Sequence, residues 1–143
     1  MSRVRISHLF LIMTVVVSMA QTPASAISIY PKYTVHIMNN FSSNQNPLKM
    51  HCWSNDDDLG EHTLWMKNEF YFSFREKFFG WTHFWCEMHH GTQVKTFDVY
   101  STRTRAFKCP STFNCYWSVR DDGFYFSDDL EKWDKYIGWS RMI

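Results

Sequence analysis

The chain of 143 residues carries 15 Lys and Arg against 14 Asp and Glu, a formal net charge of +1 with histidine neutral. That balance gives no reason to expect nucleic acid or an anionic membrane as partner. The length allows one domain beside a leader segment and is too short for two.

The first element is a leader. A short basic stretch, Ser2-Arg3-Val4-Arg5, precedes the apolar block Leu9–Val17, and small residues follow at Ala24-Ser25-Ala26. This is the layout of a secretory signal peptide cleaved after Ala26, and the block is shorter than the roughly 20 residues that span a bilayer. Residues 1–26 are thus expected to be removed, leaving residues 27–143 as a single secreted, extracellular domain. Arg3 and Arg5 leave with the leader, so 13 cations face 14 anions in the product. Nothing after residue 26 approaches membrane-spanning length or forms a hydrophobic anchor tail, so a soluble monomer with no membrane insertion is expected.

The remainder reads as an all-β domain. Phe70, Phe72 and Phe74 alternate with Glu69, Tyr71, Ser73 and Arg75, the period of two that turns one face of a strand to a core. Similar short stretches run over Thr34–Asn39, Leu48–Trp53, His62–Met66, Thr82–Glu87, Val94–Ser101, Cys115–Arg120 and Gly123–Ser127, separated by turn-rich segments. Seven to eight antiparallel strands in this length predict a small β-sandwich, with a closed barrel as runner-up. Asp128–Trp139 fits either a short helix or an edge strand, and the strand is preferred.

The four cysteines, Cys52, Cys86, Cys109 and Cys115, predict two disulfides in a secreted chain of this size. Alternation turns Cys52, Cys86 and Cys115 inward. Facing sheets would pair Cys52 with Cys115, leaving Cys86 with Cys109, although four cysteines permit three connectivities.

The order of several motifs carries a resemblance. Val35-His36-Ile37-Met38-Asn39-Asn40, then Leu48–Ser54 with its His51-Cys52-Trp53-Ser54 step, then Asp56-Asp57-Asp58-Leu59-Gly60 resemble the opening of the plant self-incompatibility protein S1 family. Phe84-Trp85-Cys86, Phe97-Asp98-Val99-Tyr100, Cys115-Tyr116-Trp117-Ser118-Val119 and Asp122-Gly123-Phe124-Tyr125 extend the likeness from about Tyr33 to Trp139. The resemblance implies a secreted plant β-sandwich with two disulfides. In the family's best-understood members, from poppy stigma, it implies a ligand that a pollen surface receptor recognises in self-incompatibility.

Candidate functional residues follow from that expectation. Polar loops are where a rigid scaffold carries specificity, which singles out Phe41–Asn46, Asn55–Gly60 with Asn55, Asp56, Asp57 and Asp58, His89–Gln93 with His89 and His90, and Arg103–Lys108 with Arg103, Arg105 and Lys108. The Asp56–Gly60 run looks like half a calcium loop, but the bidentate Glu needed further on is absent, so a turn with Gly60 at positive φ is expected. The histidines show no metal-ligand spacing, no cofactor motif is present, and no catalytic motif points to an enzyme. Asn40-Phe41-Ser42 is a glycosylation sequon, which would make the product a glycoprotein. Trp53, Trp81, Trp85, Tyr71 and Tyr116 fall opposite the core set, so a carbohydrate-binding module of the cell wall is the alternative function.

Overall fold

The computed structural model describes residues 30–104, 107 and 109–143, so the expected leader, Arg105 and Lys108 lie outside the described residues. The chain forms β1 (Lys32–Asn39), β2 (Leu48–Ser54), β3 (Asp58–Leu64), β4 (Glu69–Arg75), β5 (His83–His90), β6 (Gln93–Ser101), β7 (Asn114–Arg120), β8 (Gly123–Ser127), β9 (Asp134–Ile137) and β10 (Ser140–Arg141). They make two five-stranded sheets, ordered β4-β1-β7-β8-β9 and β10-β6-β5-β2-β3. The expected sandwich is present, and the short β9 and β10 raise the strand number above the seven or eight expected. The 128–139 ambiguity resolves as a strand, β9.

Strand polarity follows from alternation. Along β2 and β5 the buried residues are Leu48, Met50 and Cys52, and Phe84, Cys86 and Met88, while the residues between them face outward. Along β7, Cys115, Trp117 and Val119 are fully buried. Trp117 packs against Phe97, Phe107, Phe126 and Tyr136, and its indole Nε1 donates to the Val99 carbonyl at 3.0 Å. The bond crosses from one sheet to the other, so the buried indole N–H is satisfied and the layers are held in lateral register.

Every paired strand is antiparallel except one: β1 runs parallel to β7, with Val35 beside Cys115 and Ile37 beside Trp117. Tight two-residue turns, Gly91-Thr92 and Asp121-Asp122, close the β5–β6 and β7–β8 hairpins.

The disulfides join Cys52 to Cys86 and Cys109 to Cys115. This corrects the expected pairing of Cys52 with Cys115 and Cys86 with Cys109. Inward direction was read properly, since all four are buried, but β2 and β5 are neighbours in one sheet and Cys52 lies directly opposite Cys86 in the ladder. Opposed side chains on one face approach far more closely than side chains across the core. Cys109 and Cys115 are six residues apart and tie the segment leading into β7 to the strand itself.

β3 begins at Asp58 rather than near His62. A bulge between His51 and Trp53 lets Asp58 face Trp53, and Gly60 takes φ +80°, as the turn reading required, but inside a strand. Bulges of this kind absorb a residue that a turn would otherwise have to hold.

Candidate functional site: the loop-bearing end of the sandwich

Strand direction sorts the loops into two groups. β2, β4 and β6 end where β1, β5 and β7 begin, which gathers residues 55–57, 76–82, 102–104, 107 and 109–113 at one end. At the opposite end lie residues 40–47, Gly91-Thr92 and Asp121-Asp122, where the Ser42 amide donates to Asp121 Oδ1 at 3.3 Å. The expected recognition loops are thus split: Asn55–Asp57 and Arg103 share the first end, Phe41–Asn46 the second.

At the first end the Asn55–Asp57 loop is braced by its own chain. Ser54 Oγ accepts from the Asp57 amide at 3.0 Å, and the Ser54 amide donates to the Asp57 carbonyl at 2.8 Å. Asp56 pairs with Lys77. Asp58, the first residue of β3, accepts from His51 Nε2 at 2.5 Å and from the Gly60 amide at 2.8 Å. The histidine contact first, and the amide second, hold its carboxyl below the ordinary carboxylate value. The Asp56 and Asp58 carboxylates are committed to protein partners, and among the described residues no group of three or more His, Cys, Asp or Glu side chains is placed to hold a metal ion.

The 76–82 loop is the feature that sequence reasoning did not single out. Its base is fixed: Tyr100 donates its hydroxyl to Glu76, the Lys77 amide donates to Thr82 Oγ1 at 2.8 Å, and the Thr82 amide donates to Thr102 Oγ1 at 3.0 Å. Its tip, Phe78-Phe79-Gly80-Trp81, turns at Gly80 with φ +88° and leaves its rings exposed. The signal lay in the sequence as two adjacent phenylalanines, which break the period of two kept by Phe70, Phe72 and Phe74. Trp81 borders two clefts, one of about 110 Å³ that includes Asp56, Asp57 and Lys77, and one of about 370 Å³ that includes Asp98 and Arg103.

His89 and His90 are not loop residues, which corrects the expectation for both. They end β5, because the hairpin needs only Gly91 and Thr92 to turn. His89 Nε2 donates to Glu87 Oε1 at 2.7 Å, and the His90 ring stacks on Phe41 at 3.5 Å. Asn40 follows β1 and is partly buried, with Nδ2 donating to Ser118 Oγ at 2.7 Å.

The outer face of the second sheet carries the aromatic row. Trp53 and Trp85 lie opposite each other with ring centroids 6.4 Å apart, His51 stacks on Trp53 at 3.9 Å, and His83 lies 5.0 Å from Trp85. His83 Nε2 donates to Asp98 at 2.7 Å. One face of the Trp53 indole is therefore taken by an imidazole that Asp58 pins in place. Trp81, Tyr71 and Tyr116 do not join this row: Trp81 belongs to the loop end, and Tyr71 and Tyr116 flank His36 on the other sheet.

The family model for plant self-incompatibility protein S1 matches residues 34–139, nearly all of the described chain. The chain belongs to the plant self-incompatibility protein S1 family. Among relatives of this S1-family chain, S-protein homolog 7 of Arabidopsis thaliana is 30% identical over 135 residues, covering 93% of this chain and 99% of that protein. Self-incompatibility protein S1 of Papaver rhoeas is 35% identical over 111 residues, covering 75% of this chain and 77% of that one. A solved self-incompatibility protein homologue, described as one of a widespread family of small, highly stable, secreted plant proteins, superposes with a TM-score of 0.60. It is 18% identical and covers 79% of this chain and 97% of that one, a likeness of fold.

Proposed function

We propose that the protein is a secreted, non-catalytic plant ligand recognised by a cell-surface receptor, in self-incompatibility or another cell–cell recognition. The observation that carries this reading is the convergence of Asn55–Asp57 and Arg103, two loops of opposite charge, on one end of a disulfide-tied sandwich. A scaffold whose layers are held by Trp117, with one disulfide tying β2 to β5 and the other bracing the entry to β7, holds such loops with little ordering cost on binding. The Papaver relative, self-incompatibility protein S1, supports the same direction.

The cell-wall carbohydrate reading is the weaker of the two. Sugar rings stack on open indole faces, and His51 already occupies one face of Trp53.

The test is binding of labelled, mature protein to intact plant cells. A receptor ligand binds saturably, is displaced by unlabelled protein, and loses its sites when surface proteins are digested. Paired charge reversals at Asp57 and Arg103 should weaken that binding. Retention on wall glycans that depends on Trp53 and Trp85 would instead support the carbohydrate module.

A further inference from the structure

We propose that the β4–β5 loop tip, Phe78-Phe79-Gly80-Trp81, is the anchor of the recognition surface, and that it seats in an apolar recess on a folded protein partner. The inference rests on the receptor reading above and assigns its centre to residues outside the loops expected from sequence.

Three rings meet here, and Trp81 stands beside them in the same loop tip. Phe79 is 83% exposed, Phe78 68%, Trp81 58% and the neighbouring Tyr30 40%. Phe78 and Phe79 pack edge to face at 4.5 Å, and Tyr30 meets Phe78 at 5.8 Å. Single exposed apolar residues need no explanation, whereas a contiguous exposed aromatic cluster marks an interaction site. Tyr and Trp lead among side chains that dominate binding energy at such sites.

The loop is built for display rather than left loose. Three hydrogen bonds fix its base on Tyr100, Thr82 and Thr102, so the tip stands on the buried end of β6. Its ionisable flank is engaged internally, since Glu76 accepts from Tyr100 and Lys77 pairs with Asp56. The tip itself, Phe78–Trp81, carries no ionisable side chain, so it enters an apolar environment without desolvating a charge of its own.

Charge decides between a protein and a lipid surface. Trp81 borders both clefts, with Asp57 on the lining of one and Arg103 on the lining of the other. Neither side chain has an ion-pair partner among the described residues. Trp81, set between a cleft lined by Asp57 and one lined by Arg103, has the anatomy of a protein interface, an aromatic centre inside a polar rim. It asks for a partner with a cation fixed on one side of the recess and an anion on the other. A folded protein holds such a lateral pattern, whereas mobile lipid headgroups do not, and this chain offers no cationic excess to favour an anionic bilayer.

The experiment measures equilibrium binding of the fluorescently labelled mature protein to protoplasts from pistil, pollen and root. Trypsin-treated protoplasts and phosphatidylcholine vesicles are run in parallel. Phe79→Ser and Trp81→Ser are compared with Tyr71→Ser, an exposed aromatic on the outer face of β4, and unchanged unfolding midpoints verify that each variant folds. The expected result is a Kd weakened roughly 30-fold or more by each tip variant, as for a central aromatic hot spot. Tyr71→Ser should bind like the parent, and vesicles should take up nothing. Tip variants that bind normally to trypsin-sensitive sites overturn the anchor and leave the receptor reading standing. Equal, tip-dependent uptake by vesicles and trypsin-treated cells makes lipid the occupant and overturns the protein partner. Absence of saturable binding on all three tissues removes the receptor reading, and the anchor with it.

Discussion

Replacing Cys52 and Cys86 together by alanine should destabilise the protein more than replacing Cys109 and Cys115 together. The two bridges close loops of very different length, with sequence separations of 34 and 6. On the chain-entropy model at 25 °C the longer closure stabilises by about 3.8 kcal/mol and the shorter by about 2.2 kcal/mol. The difference, about 1.5 kcal/mol, is well within the reach of urea denaturation followed by tryptophan fluorescence. Paired replacement avoids leaving a stray thiol. Connectivity is read separately by a non-reducing tryptic digest, because Cys109 and Cys115 fall within one peptide, Cys109–Arg120, whereas Cys52 and Cys86 fall in Met50–Lys67 and Phe78–Lys95. The digest should yield Cys109–Arg120 alone with an internal bridge, and the other two peptides joined to each other. Recovery of Cys109–Arg120 joined to either of them would refute the pairing. A smaller loss for Cys52→Ala/Cys86→Ala would refute the loop-closure account of its strength.

Trp117→Phe should lower the unfolding free energy read from urea denaturation by about 1–3 kcal/mol, because the buried Val99 carbonyl loses its donor across the sheets, and Trp117→Ala should cost about 3–5 kcal/mol. Burial first, then the hydrogen bond to Glu76, raise the Tyr100 phenol above its ordinary value of 10.0. A raised phenol favours the neutral form in the folded state, so its stabilisation is complete below pH 10 and is lost as pH climbs beyond it. Unfolding midpoints measured from pH 8 to 11 should therefore fall at the alkaline end, and Tyr100→Phe should flatten that limb. Asn40 should be unmodified in the folded secreted protein, since Nδ2 is engaged by Ser118 and the next residue, Phe41, is in the core. An intact mass that drops on glycosidase treatment would contradict this.

Local alternation made most strands legible. Gly123–Ser127 was placed to the residue, and Phe70, Phe72 and Phe74 reported the inner face of β4 correctly because a half-buried strand must alternate. β3 was misplaced because Asn55–Gly60 is rich in turn formers, and only the partner strand reveals that a bulge draws Asp58 and Gly60 into the ladder. The disulfides show the same limit. Inward direction is a local property of Cys52 and Cys115, whereas their partners depend on which strands are neighbours, a long-range fact that alternation does not carry. At the candidate site, Asn55–Asp57 and Arg103 lie between strands, as their polarity suggests, whereas His89 and His90 end β5 because the hairpin is shorter than their polarity suggests. The tip at Phe78–Trp81 is hidden from a composition argument because aromatic residues favour sheets as a rule.

The parallel seating of β1 against β7 governs when the protein can be finished. His36 meets Asn114 across a separation of 78 residues, so the earliest strand to leave the export channel has no mate on that side until most of the chain has followed. Closing so long a span is entropically slow, and a bare strand edge meanwhile invites self-association. A product cut short before Asn114 would keep β1 and β4 as an open-sided pair, and the secretory pathway should retain or destroy it rather than release a partial domain.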